Sequence, residues 1–308
     1  MTHNERIYYC EPVFRPPSEH NSLLIQLTEG CTFKCDFCMS NLRKNFKIRS
    51  IEEVKKDIDI AAKKQFGSFV DKMFFLDGNA MVTPTEKLLE LIKYAITKLP
   101  KLKRVGVYAH AKDILKKSEK DLKDLSDAGL KIAYIGFESG YNALLKDVHK
   151  HATKEDYINA SKKLFKANII LSATFINGLG GSQNEIVSKA HALESADLIN
   201  QICPNDDRIW YIAFLSLMIP PGTILYEKKI RGEFIEMNSN EILNELKTFI
   251  EAINFKNKGA KCIFRSNHAS NYLPIRGTLE KDKLKILDTI KFGLNHEEAL
   301  RPEYYRAL

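Results

Sequence analysis

Ser22-Leu23-Leu24-Ile25-Gln26-Leu27-Thr28-Glu29-Gly30-Cys31-Thr32-Phe33-Lys34-Cys35-Asp36-Phe37-Cys38 carries an apolar strand, Ser22 to Leu27, straight into a loop whose three cysteines are spaced C-x3-C-x2-C. Thiolates suit soft metals and iron–sulfur clusters, and ligands this close on one loop cost little closure entropy. A four-cysteine set fills every iron of a cubane cluster, whereas three leave one iron open to a cofactor or substrate. A zinc knot completed by a distant residue is a second reading, since Cys10, Cys203, Cys262 and eight histidines are available. Zinc sites usually arrive as two spaced pairs, however, and no second pair exists. Three unligated buried cysteines would be a third reading, but Lys34 and Asp36 mark the loop as polar.

Outward from this loop the chain alternates strands and helices. Ser50 and Glu53 form a capping box ahead of Ile51, Val54, Ile58 and Ala62, which recur at helical spacing. Met73 to Leu76 is a second strand, and Thr83-Pro84-Thr85-Glu86 predicts a second capping box with proline at the first helical position. Val105 to Tyr108 is a third strand, with a helix ending at Gly129. Lys131 to Phe137 is a fourth, and Thr153 with Asp156 starts the helix after it. Ile169 to Ile176 is a fifth, with a helix from about Asn184 to Ala196. Ile209 to Leu217 is the sixth. Apolar strands alternating with amphipathic helices imply a parallel sheet buried on both faces. Periodicity alone leaves a doubly wound sheet and a barrel equally open. Beyond Tyr226 the pattern predicts helices near Glu241 to Ile253 and Glu280 to Phe292, with a short strand at Cys262 to Phe264.

The unusual residues fall at strand ends, where α/β folds gather ligands. Asp77-Gly78-Asn79 follows the second strand and Gly136-Phe137-Glu138-Ser139-Gly140 the fourth. Asn177-Gly178-Leu179-Gly180-Gly181 follows the fifth, and Leu215-Ser216-Leu217-Met218, then Pro220-Pro221-Gly222-Thr223, the sixth. Taken singly, Asp-Gly is a common turn pair, and a carboxylate such as Glu138 could be solvated or lysine-paired.

Together with C-x3-C-x-aromatic-C at the end of the first strand, these segments resemble the radical S-adenosylmethionine (SAM) superfamily, in particular its oxygen-independent coproporphyrinogen oxidase branch. The resemblance covers about Leu23 to Tyr226 and implies an α/β fold, a partial (β/α)6 TIM-like barrel with a C-terminal α/β extension. The expected layout is an N-terminal arm over 1–21, a core barrel over 22–226, and an extension over 227–308 covering the barrel mouth. The resemblance further implies a [4Fe–4S] cluster on Cys31, Cys35 and Cys38, with SAM on the open iron. It implies reductive cleavage of SAM to a 5′-deoxyadenosyl radical, then hydrogen abstraction from a substrate. Phe37, Asp77, Gly78, Asn79, Glu138, Ser139, Lys150, Asn177 and Gly178 would contact SAM. An electron donor of the flavodoxin or ferredoxin type is implied.

The polar segment from Phe264 to Gly277 suggests Arg265, His268, Asn271 and Arg276 as substrate-site residues; the plainer reading is a surface loop with a structural His268. Cys10, Cys203 and Cys262 are far apart and read as buried small hydrophobes rather than ligands of an auxiliary cluster. With 30 residues before Cys31, a fused N-terminal cobalamin domain is not expected.

Composition reads as a soluble globular protein rather than a disordered one. Hydrophobic residues make up 44% and charged residues 28% of 308, and no apolar run approaches bilayer length. The start lacks a signal-peptide core, so a cytoplasmic protein is expected. The +8 charge is mostly lysine and reads as a solvated surface, or as a face for an acidic redox partner. No basic block or aromatic-interleaved stripe points to nucleic acid. Two other classes stay open: a non-catalytic iron–sulfur electron carrier or sensor, and a zinc-stabilised RNA-binding protein.

Overall fold

The computed structural model describes residues 6–40, 42, 44–64 and 67–307, which divide by internal contact into two compact units. The first comprises Met1–Lys34, Ser40–Ile135 and Lys163–Leu171; the second comprises Cys35–Met39, Gly136–Lys162 and Ser172–Leu308.

In the first unit the chain runs through β1 (Leu23–Gln26), the short strands β2 (Thr28–Glu29) and β3 (Lys47–Ile48), and α1 (Ile51–Lys63). It continues with β4 (Lys72–Leu76), α2 (Thr85–Lys98), β5 (Arg104–Ala109), α3 (Ala111–Lys116), α4 (Glu119–Ala128) and β6 (Leu130–Glu138), which ends in the second unit. Strands β1, β4, β5 and β6 lie in that order and pair in parallel. Parallel neighbours need crossover connections, which α1, α2 and the α3–α4 pair supply. Met73, Phe74, Phe75 and Leu76 are fully buried, as a strand covered on both faces requires.

Helix α1 starts as expected, with Ser50 and Glu53 closing a reciprocal capping box. Helix α2 does not. A 3-10 turn over Ala80–Val82 takes Thr83 as its own cap, so the helix begins one residue later, with Pro84 as N-cap and no side-chain cap. The single helix expected before Gly129 is two, because Ser118 and Asp121 form a further capping box that starts α4. The N-terminal arm is tied to the sheet by a buried charge. Its Glu19 is buried, taking Arg104 at 2.9 Å and the Tyr134 hydroxyl at 2.5 Å.

The second unit holds α5 (Asn142–Asp147) and most of α6 (Lys154–Lys166), then β7 (Ile170–Asn177), α7 (Glu185–Ile202), β8 (Ile209–Ser216), α8 (Ile224–Ile230) and α9 (Ser239–Ala252). It finishes with β9 (Lys261–Ser266), β10 (Ile275–Thr278) and α10 (Leu279–Asn295). Strands β7, β8 and β9 are parallel and β10 is antiparallel to β9. The C-terminal part of the chain therefore widens the sheet by two strands. Sequence patterning found β9 but missed β10, which is only four residues long and carries Arg276 and Gly277.

One face of this half-sheet is packed by helices. Phe175 of β7 stacks on Phe214 of β8, and Phe214 contacts Phe264 of β9 and Phe249 of α9. Burying each ring contributes about 1.5–3 kcal/mol, so this aromatic layer fixes the face. The alternate residues Tyr211, Ala213, Leu215, Ile263, Arg265 and Arg276 are only half-buried or exposed, and they define the opposite, open face. Among the described residues, no helix is long and apolar enough to cross a membrane.

Candidate active site

The cysteine loop begins in the first unit. Gly30 has φ 71°, and a Cβ there would stand 3.2 Å from Lys44 Cβ, so the backbone passes close to Lys44. The Gly30 amide donates to Asp77 Oδ2 at 3.3 Å, and Lys44 Nζ reaches the same oxygen at 2.6 Å with both side chains almost wholly buried. Gln26 donates to Asp77 Oδ2 at 3.2 Å, while Asp77 Oδ1 accepts from the Gly78 amide at 2.8 Å. Lys44 also donates to the Pro12 carbonyl.

On the other side of Cys31, Thr32 accepts from Asn79 Nδ2 at 3.2 Å, and Phe33 stacks on His110 with centroids 3.8 Å apart. Asn79 Nδ2 also donates to Asp113 at 2.6 Å, and Asn79 Oδ1 accepts the His110 amide at 3.0 Å. The Phe33 amide donates to Cys31 Sγ at 3.5 Å. The turn Asp77-Gly78-Asn79 thus holds the backbone immediately before Cys31 and the Thr32 side chain immediately after it. Sequence reasoning placed Asp77, Gly78 and Asn79 at SAM; in the structure both side chains already have protein partners, and the Gly78 amide is held by Asp77.

Cys35, Phe37 and Cys38 belong to the second unit. Between them Asp36 is buried and fastened on several sides. Its Oδ1 hydrogen-bonds with His149 Nδ1 at 2.7 Å, and Lys228 Nζ lies 3.0 Å from Oδ2, an ion pair without an aligned hydrogen bond. Its amide donates to the Val148 carbonyl, and its own carbonyl accepts the Leu225 amide. Phe37 packs on the apolar cluster of Leu144, Val148, Ile176, Leu179, Leu217, Leu225 and Phe234. Cys31, Cys35 and Cys38 are in no disulfide, and each is half-buried. Among the described residues, no group of three or more His, Cys, Asp and Glu side chains is arranged to hold a metal ion. The fit to a cluster therefore rests on the donor set: three cysteine thiols on one loop, none in a disulfide, the chemistry of a three-ligand iron–sulfur site.

At the exit of β6, Glu138 sits at φ 62° and pairs with Lys150 at 2.8 Å, both buried. A Cβ at Gly136 would fall 2.0 Å from Glu138 Oε1, so only glycine leaves room for the pair. Burial pushes the Lys150 pKa down, but Glu138 and then Cys35 outweigh it, and the ammonium pKa stands above the usual lysine value. Glu138 and Lys150, both expected at SAM, thus partner each other. Ser139 is buried, its Oγ hydrogen-bonded with His191 Nδ1 at 2.8 Å and accepting the Tyr141 amide at 2.9 Å.

At the exit of β7, the Gly178 amide donates to Glu245 at 2.7 Å, and Glu245 lies 3.6 Å from His191 Nε2. Asn177 Oδ1 is buried with no hydrogen-bond partner among the described residues, which leaves it to meet an outside donor. Gly178, with φ 80°, completes the turn.

The C-terminal candidates separate into two kinds. His268 and Asn271 are built into a loop. His268 Nδ1 accepts the Ser270 amide at 3.1 Å, and Asn271 links Ser216 Oγ and the Phe214 carbonyl at the end of β8. Burial, helped by Arg301, lowers the His268 pKa, so its ring is neutral near pH 7. Arg301 and Arg306 clamp this loop through the carbonyls of Ala269, Ser270 and Asn271. Arg265 and Arg276 instead face each other across β9 and β10 and are exposed.

Sequence reasoning missed Lys44, His110 and Asp113 in the first unit, and Asp36, His191 and Glu245 in the second. A signal existed for the last two, since each occupies a core-facing position of its helix, Glu245 beside Ile242, Leu246 and Phe249, and His191 beside Ala192 and Ser195.

Parallel α/β strands, a three-thiol loop leaving the first of them and glycine-bearing turns at later exits define a class. A model of the Radical SAM superfamily matches residues 25–191, more than half of the chain, and the chain belongs to that superfamily, whose members are enzymes. The tRNA-2-methylthio-N(6)-dimethylallyladenosine synthase of Petrotoga mobilis is 26% identical over 192 residues, 60% of this chain and 42% of that protein. The GTP 3′,8-cyclase of Clostridium perfringens is 24% identical over 234 residues, 74% of this chain and 62% of that one. This chain thus spans less than two thirds of either relative. Among solved structures, coproporphyrinogen III oxidase of Escherichia coli superimposes with TM-score 0.56 at 13% identity, over 75% of this chain and 52% of its own. Methylornithine synthase gives 0.51 at 14%, over 91% and 85%. These structures share the fold.

Proposed function

We propose that the protein is a radical SAM enzyme, reductively cleaving SAM and abstracting hydrogen from a substrate. The observation that carries this reading is the C-x3-C-x2-C loop, its three cysteines in no disulfide, leaving β1 within the superfamily match. When bound, a [4Fe–4S] cluster supplies the electron that breaks the S–C5′ bond of SAM, drawn from a flavodoxin- or ferredoxin-type donor. Cys31, Cys35 and Cys38 hold that cluster. Asp77, Lys44 and Asn79 hold Gly30 and Thr32 on either side of Cys31, and Asp36 sets the backbone between Cys35 and Phe37. Gly78 and Gly178, lacking side chains, let SAM approach the backbone closely, Phe37 and Asn177 lie at its adenine, and the Glu138–Lys150 pair together with Ser139 addresses its polar end. Arg265, His268, Asn271 and Arg276 serve the substrate. The protein acts in the cytoplasm.

The test is anaerobic purification with iron and sulfide analysis, followed by dithionite, SAM and detection of 5′-deoxyadenosine. About four irons per chain and steady 5′-deoxyadenosine formation are expected. A cluster that never cleaves SAM would favour a carrier or sensor, and zinc in a colourless protein would overturn the reading.

A further inference from the structure

We propose that Arg265 and Arg276 form an anion site for a carboxylate or phosphate group of the substrate; calling the ligand the substrate rests on the radical SAM reading above. The two residues are direct cross-strand partners in the antiparallel β9–β10 pair, so their side chains leave the same face of the sheet. That is the open face, because the alternate residues Phe264 and Ile275 are buried on the helix side, where Gly277 meets Asp282 and Ile286 of α10.

Neither guanidinium has an acceptor among the described residues. Among the described residues, Arg6 and Arg15 of the N-terminal arm are likewise without one, but the arginines elsewhere are engaged. Arg49, Arg104, Arg208, Arg231, Arg301 and Arg306 each hold a carboxylate or a carbonyl. The sequence of the sheet explains why these two are left over: β7, β8, β9 and β10 contain no Asp or Glu. Like charges directly opposite on a sheet destabilise it. A fold that keeps two of them side by side, with no counter-charge on four strands, carries a local cost that a bound anion would offset.

Geometry adds the class of ligand. Register places Thr174, Ala213, Arg265 and Arg276 in one row across the four strands. The small Thr174 and Ala213 leave space beside the guanidiniums. Leu215 and Ile263 are half-buried on the same face and give an apolar floor. Paired guanidinium forks match the planar, two-oxygen edge of a carboxylate or phosphate. The fitting ligand is an anion with an apolar or aromatic body.

The experiment titrates the full-length protein with inorganic phosphate and, separately, with succinate, at ionic strength held constant with chloride, reading binding by calorimetry. Saturable binding of one of them is expected, phosphate pointing to a phosphorylated substrate and succinate to a carboxylic acid. Arg265→Gln or Arg276→Gln should weaken it about tenfold or more, the loss of a charge-assisted hydrogen bond. Arg276→Lys should retain part of it, keeping charge without the fork. Melting curves in ion-free buffer show that the variants are folded. The proposal is overturned if neither ion binds beyond the chloride control, if the variants bind as the parent does, or if phosphate competes with SAM. Phosphate binding without SAM cleavage would leave the anion site standing and sink the radical SAM reading instead, so the two failures are distinguishable.

Discussion

The turn after β4 and the strand pair β9–β10 both carry charged residues that the sequence marked as site residues, and they are opposite in how those charges are treated. Asp77 is buried and answered by Lys44, Gln26 and the amides of Gly30 and Gly78. Arg265 and Arg276 are exposed, adjacent and unanswered. A buried charge must be paired, so the polar chemistry of the first region is consumed internally, in holding Gly30 and Thr32 on either side of Cys31. An exposed charge can wait for a ligand. The lesson is that a polar residue at a strand exit can serve a site by shaping the loop beside it or by touching what binds there, and the partner list separates the two.

Breaking the first region should have the largest effect. Asp77→Ala leaves Lys44 buried and uncompensated, and removing one partner of such a pair costs about 3–5 kcal/mol. A denaturant titration of the apo protein should show that loss, and the variant should retain less iron after reconstitution. Unchanged stability would mean that Lys44 finds water or another acceptor and that the turn does not govern the loop. Asn79→Ala should cost less, about 1–3 kcal/mol, because Asp113 and the His110 amide lose hydrogen bonds without stranding a buried cation. If Asn79 instead met SAM directly, its removal would weaken SAM binding while leaving apo stability unchanged.

His191 sharpens the contrast with a charge that can be switched. Burial lowers its pKa from 6.5, with Glu245 opposing. The unfolded chain, titrating near 6.5, therefore takes up a proton that the folded protein resists. Its contribution to stability is fully present above about 6.5 and is lost as pH falls from there towards the folded pKa. Stability should drop as pH falls below about 6.5 more steeply in the parent than in His191→Gln. Parallel curves would mean that Glu245 offsets the burial and keeps the imidazole titrating as in the unfolded chain.

Much of this was legible before the fold was seen. The strand running into Cys31, the α1 capping box at Ser50 and the helix start at Thr153 and Asp156 are local patterns, and the structure reproduces them. The β4 exit and the β6 exit were found for the same reason, since a turn after an apolar strand is visible in a short window. What the sequence hid depends on distance along the chain. Lys44 meets Asp77 33 residues away, and nothing around Lys44 distinguishes it from the other lysines. The pairing of Arg276 with Arg265 was invisible because β10 is too short to show a period and its partner strand lies beyond a polar loop. The α2 capping box failed because the preceding 3-10 turn competes for Thr83. Local chemistry was readable; the pairing that decides whether a charge is structural or available was not.

The smallest expected effect tests the comparison most closely, because its sign differs between the two regions. Every substitution in the Asp77 turn should destabilise the protein, since each group there has partners to lose. Arg276→Gln removes no internal hydrogen bond and relieves a like-charge contact, so the ligand-free protein should be unchanged or more stable, by about 0.2–1 kcal/mol. Arg276→Glu should go further, since it creates an opposite-charge pair with Arg265 on the same face. Melting temperatures at low ionic strength would show the rise, and added salt should shrink it, because exposed charges are screened. A fall in stability for Arg276→Gln would mean that the guanidinium has an internal role in the folded protein. The two regions would then be alike after all, each spending its charge on the fold.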